Sequence, residues 1–199
     1  MLSTSRLVLA AAAVLAALTL SPSSTTLAQT AQDSSKDASQ VPLQDSWQEF
    51  RSDELGFRVE MPGKPKVEEE NDEETVGDKK QNVKSTNVQL DHGDTSLGVS
   101  CAQFGKGFRQ RPIDAYVDDI IKRIEKGLGV KVTRQNRLTI NDQPVREFFA
   151  EANGFYVAAR VAILDDRIIQ AVALGDTPLA GNPVAERFLQ SFELLPEKK

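Results

Sequence analysis

The sequence predicts an α+β fold: a largely antiparallel sheet covered by helices on both faces. Three observations predict it. Short extended runs in the second half of the chain are joined by tight turns, of which Asn153-Gly154 is the strongest hairpin signal. Two segments, 112–128 and the stretch after Asn182, carry apolar residues at helical spacing. The runs FYVAARVAIL and RIIQAVAL are apolar on both parities, the pattern of central strands covered on both sides.

The elements follow in order. Residues 7–20, LVLAAAAVLAALTL, form an uncharged run behind Arg6. A bilayer span needs about 20 apolar residues, so this run fits the apolar core of a signal peptide instead. Thr26 and Ala28 place small side chains where signal peptidase needs them. The sequence therefore predicts a signal peptide over 1–28 and a mature chain beginning at Gln29. No cysteine lies directly after the run, which argues against the usual lipid anchor. Residues 29–44 are small and polar and read as a flexible linker. One domain is expected over 45–199.

Within it, Phe57, Val59 and Met61 alternate with Arg58 and Glu60, a strand that Pro62-Gly63 and Pro65 end. Residues 67–80 are an acidic run followed by a turn. Residues 82–90 and 95–104 read as a hairpin around 91–94. Ile113, Tyr116, Val117, Ile120, Ile121, Ile124 and Leu128 make one stripe of a helix that Pro112 opens and Gly127 and Gly129 stop. Val130, Val132, Leu138 and Ile140 share one parity of the next strand. Asn182 caps a last helix at Pro183, with Val184, Ala185, Phe188, Leu189 and Phe192 inward.

Composition narrows the function. The formal net charge is −5, with 29 acidic and 24 basic residues. That balance argues against nonspecific nucleic-acid binding and against attraction to anionic membranes. No membrane span is expected once the signal is removed. The single Cys101 allows no internal disulfide, and its phase with Leu97 and Val99 predicts a buried, inert thiol. Asp91, His92 and Asp94 place one nitrogen and two oxygen ligands together, but Asp and Gly are what a hairpin turn uses anyway. The carboxylates between Glu68 and Glu74 lack the spacing of a calcium loop and read as a solvated strand edge or loop. There is no G-x-S-x-G and no phosphate-binding glycine loop. No cofactor or metal is therefore expected. A carboxylate pair assembled in three dimensions stays open as an alternative, an extracytoplasmic hydrolase.

The run GFRVEMPGKPKVEEE, the helix after a hairpin, the three-strand meander and the closing RFLQSFEL helix together resemble the PsbP-like α/β/α sandwich. An extrinsic photosystem subunit, a nuclear-transport cofactor and many bacterial proteins of unknown function share that fold. The resemblance covers roughly 45–195 and implies a noncatalytic binding or assembly role. It carries over no residue roles. The expectation is an exported module, periplasmic or secreted, that binds another envelope or extracellular protein. One segment stands out as its contact. Phe104 to Arg111 set three cations, Lys106, Arg109 and Arg111, on a glycine-loosened loop of an otherwise acidic chain, with Phe108 among them. The loop leads into a helix N-terminus, whose free N–H groups favour anions.

Overall fold

The computed structural model describes residues 46–76 and 79–196. The signal peptide expected over 1–28 and the linker expected over 29–44 lie outside the described residues.

Among the described residues, ten strands and two helices follow one another. They are β1 (Gln48–Ser52), β2 (Phe57–Met61), β3 (Lys66–Val76), β4 (Lys79–His92), β5 (Thr95–Gln103), α1 (Ile113–Leu128), β6 (Lys131–Ile140), β7 (Gln143–Ala152), β8 (Phe155–Ile163), β9 (Arg167–Gly175), α2 (Pro183–Ser191) and β10 (Glu193–Leu194). Seven strands form one sheet in the order β3-β4-β5-β9-β8-β7-β6, and every pairing in it is antiparallel. The hairpin chemistry is visible at the turns. Asn141 and Asp142 join β6 to β7, and Asn153 and Gly154 join β7 to β8, all four at positive φ. That conformation matches the right-handed twist of the flanking strands.

β9 and β8 sit in the middle of the sheet, and their alternate residues divide between two buried clusters. Val157, Ala159, Val161 and Ile163 pack with Tyr116, Val117 and Ile120 of α1. Ala158, Ala162, Ile169 and Ala171 pack with Ala185, Phe188 and Leu189 of α2. The side chain of Asn182 accepts from the backbone N–H of Val184 and of Ala185, both at 3.0 Å, and starts α2. Gly129, at φ 67°, closes α1 in the left-handed conformation.

Three features sharpen or correct the sequence reading. Of the two readings of the acidic run, solvated strand edge or loop, the first holds, and along the whole run: β3 pairs with β4 from Lys66 to Val76. As the sheet's edge it keeps Glu69, Glu70, Asp72 and Glu73 exposed to water, so the strand forms at little desolvation cost. Val132 does not share a face with Leu138 and Ile140. The pairing of β6 with β7 shifts between Val132 and Arg134, and one extra residue reverses the parity of all that follow. Val132 therefore packs on the α1 cluster, while Leu138 and Ile140 pack on the α2 cluster. Finally, β1 and β2 do not join the large sheet. They pair with β10 in a separate three-stranded sheet. Phe57, Val59 and Met61 from that hairpin enter the same buried cluster as α2.

Candidate functional site

The loop 104–111 begins where β5 stops pairing. Its backbone is tied down at several points. The N–H groups of Phe104 and Gly105 donate to the carbonyl of Asp166 at 2.7 and 3.3 Å, and that of Arg109 to Asp165 at 3.4 Å. Gly105 and Gly107 lie at φ 96° and 77°, which an L side chain rarely adopts, and this lets the chain fold back within a few residues. Phe108 stacks on Phe104 with ring centroids 4.0 Å apart and meets Tyr116 at 5.1 Å. The Tyr116 hydroxyl donates to the Phe108 carbonyl at 3.1 Å and accepts from the Gln110 N–H at 3.1 Å.

The structure thus divides the four candidate residues. Phe108 is 4% exposed and belongs to the core; it holds the loop in place and offers no apolar surface to a partner. Arg111 pairs with Asp119 at 2.9 Å and lies 4.4 Å above the Tyr116 ring. Partial burial works against its charge, but the hydrogen bonds to Asp119 and Tyr116 outweigh that and raise its pKa. Lys106 and Arg109 are exposed, and among the described residues neither has an ion-pair partner. The site is therefore a fixed backbone presenting two unpaired cations, with a third beside them.

Sequence reasoning missed the acids behind this loop. Arg167 donates to both carboxylate oxygens of Asp166, at 2.7 and 2.8 Å, and to the Glu54 carbonyl at 2.7 Å. The Arg167 hydrogen bond holds the Asp166 carboxyl below the usual carboxylate range, and the charge of Lys106 adds to it. Lys84 lies 3.3 Å from Glu69 and 3.6 Å from Glu54. Only the turn at Asp165-Asp166 had a local signal, and that signal says nothing about its neighbours in space.

A second feature had no sequence signal. A cleft of about 210 Å³ opens beside the bulge of β6, between the sheet and the loop before α2. Phe149, Tyr156, Pro178 and Leu179 give it apolar walls, and Arg134 and Glu151 stand at it. The Arg134 guanidinium lies 3.9 Å above the Phe149 ring.

The remaining candidates have structural partners. Asp94 accepts from the hydroxyls of Thr95 at 3.1 Å and Thr177 at 3.0 Å, and Asp91 accepts from Ser96. Among the described residues no three His, Cys, Asp or Glu side chains gather in a way that would hold a metal ion. Cys101 is fully buried in the cluster that contains α2, its Sγ 3.7 Å from the Leu55 carbonyl. Burial pushes its pKa up to about 12, so the group is a neutral thiol and not a nucleophile at neutral pH. Among the described residues no helix is long and apolar enough to cross a membrane.

No family model matches the chain, and no curated protein matches it in sequence. Solved structures do. One is cyanobacterial PsbP (CyanoP) from Synechocystis sp. PCC 6803, with a TM-score of 0.52 at 10% identity; the match covers 80% of this chain and 98% of that one. Another is a protein of unknown function from Pseudomonas aeruginosa, with a TM-score of 0.43 at 13% identity, covering 77% of this chain and 99% of that one. The mostly antiparallel sheet, the two described helices and the match to CyanoP along almost its whole length identify the fold of this chain as PsbP-like.

Proposed function

We propose that this chain is an exported, noncatalytic binding or assembly module that docks an acidic partner protein on the loop 104–111. In this reading the large sheet is the middle layer of an α/β/α sandwich, a rigid platform that holds the loop. The signal-like residues 1–28 support export to the periplasm or the medium. The observation that carries the reading is the unpaired exposure of Lys106 and Arg109 on a backbone already fixed by Phe108, Tyr116 and the Asp165-Asp166 carbonyls. A backbone held this way loses little conformational freedom when a carboxylate arrives, so the ordering cost is confined to the two cationic side chains.

The test starts with affinity capture from the native envelope, followed by binding measurements on the captured partner. Lys106→Ser, Arg109→Ser and Arg111→Ser together should leave the fold intact and lower the melting temperature only modestly. Lys106 and Arg109 are exposed without ion-pair partners among the described residues, and Arg111 gives up one surface ion pair and its contact with the Tyr116 ring. At low salt the variant should bind about tenfold or more weakly. The difference should shrink as salt rises, since exposed charges are screened beyond about 8–10 Å. Normal binding at low salt by a folded triple variant would reduce the loop to a connector.

A further inference from the structure

We infer that the free edge of β6, with its cleft, receives strand β3 of a second copy of this chain. The large sheet ends in β3 on one side and β6 on the other, so each presents one row of backbone groups to which no described strand is paired. Such rows are templates for another strand.

The two edges are opposite in charge. β3, KVEEENDEETV, carries six carboxylates and one lysine. β6, KVTRQNRLTI, carries Lys131, Arg134 and Arg137 and no acid. They are also complementary in shape. Val67 is the one large apolar side chain that is exposed among the described residues, at 48%, and it stands near the start of the acidic edge. The cleft, walled by Phe149, Tyr156 and Leu179 and bordered by Arg134, stands near the start of the basic edge.

Topology makes these features meet. Antiparallel pairing at every step across seven strands leaves β3 and β6 running in the same direction. A second copy set alongside with the same face upward therefore lays its β3 parallel to β6. Val67 pairs with Val88, which belongs to the α2-side cluster. Arg134 pairs with Phe149, which packs on that same cluster. Val67 of the second copy and the cleft thus share a face. With Val67 beside Arg134, each later residue advances one step on both strands, and Glu70 of the second copy falls beside Arg137. The contact is head-to-tail, and a pair keeps one acidic and one basic edge free, so it propagates into open chains of molecules unless the sheet twist closes a ring.

Sedimentation of the purified protein over a range of concentrations tests this. The average mass should rise with concentration at low salt, and association should weaken about tenfold or more towards ~0.5 M salt. Lys131→Glu with Arg134→Glu makes both edges acidic and should give a monomer. Glu68→Lys, Glu70→Lys and Asp72→Lys together leave β3 with three carboxylates against four lysines, so both edges are basic and this variant should also give a monomer. Mixing these two variants restores opposite edges and should restore association. Lys106→Ser with Arg109→Ser leaves both edges untouched and should associate as the parent does, which separates this contact from the loop. A parent that stays monomeric up to millimolar chain at low salt overturns the inference. So do folded edge variants that associate like the parent, a mixture that stays monomeric, or a loop variant that no longer associates.

Discussion

Cys101 shows how one residue's environment decides its chemistry. Its neighbours in sequence, Val99 and Leu97, already pointed to burial. The structure adds the reason for inertness: removal from water pushes the thiol pKa up to about 12, and the thiolate is the reactive form. A small thiol reagent should label the native protein at least ~100-fold more slowly than the chain in denaturant, because access requires opening of the core. Equal rates would contradict the burial. Phe108 teaches the opposite lesson. Its position among cations made it a contact candidate, yet Phe104 and Tyr116 supply a stack that takes it into the core. Sequence spacing cannot distinguish an aromatic that anchors a loop from one that the loop presents. That distinction depends on Tyr116, which lies in the helix and not in the loop.

At the level of elements, the sheet and α2 are joined by a polar network inside the molecule. Arg160 on β8 donates to Glu147 on β7 at 3.0 Å and to the carbonyl of Leu189 in the last turn of α2. Asn136 on β6 donates to the other Glu147 oxygen at 2.9 Å. The two ionised side chains are only 14% and 12% exposed. Removing one charge leaves the other desolvated and alone. Arg160→Met should therefore cost about 3–5 kcal/mol. Arg160→Met with Glu147→Leu should cost clearly less than the single change, read from urea unfolding midpoints. A double variant as unstable as the single one would show that the helix contact, not the charge, carries the stability.

This network also marks the limit of what the strands disclosed in advance. The hairpins at Asn153-Gly154 and at 91–94, the α1 stripe and the Asn182 cap were legible, because each rests on neighbours within a few residues. The bulge at Thr133 was not. An inserted residue leaves no periodic trace in a strand as polar as KVTRQNRLTI. The acidic run was legible only as a strand edge or a loop: like charges disfavour a strand in isolation, and pairing with β4 along its whole length decides for the strand. β10 is two residues long and takes its place from pairing with β2, some 135 positions away in the chain.

For the whole molecule, surface charge links stability to pH. Asp114, at the start of α1, accepts from Arg146 and Arg137 on the neighbouring strands. The Arg146 hydrogen bond holds its carboxyl below the ordinary value of 3.8, as Arg167 does for Asp166. Both carboxyls bind protons less readily in the folded state than in the unfolded one. Their stabilisation is complete above about pH 4–5 and is lost as pH falls through the lowered folded values. Asp114→Asn should thus lower the urea midpoint near neutrality, and the gap to the parent should close towards about pH 2. A gap that stays constant with pH would mean that Asp114 acts through geometry alone.

The same scale holds the functional account, in which a PsbP-like platform presents a cationic loop to an acidic protein. Zero-length carbodiimide coupling of the chain to its captured partner, followed by peptide mass mapping, tests it most directly. The reagent joins an amine only to a carboxylate in contact with it. The account predicts a bond between the Lys106 amine and a carboxylate of the partner, formed at low salt and lost at high salt. Coupling confined to other lysines, with Lys106 free in the bound complex, would contradict it.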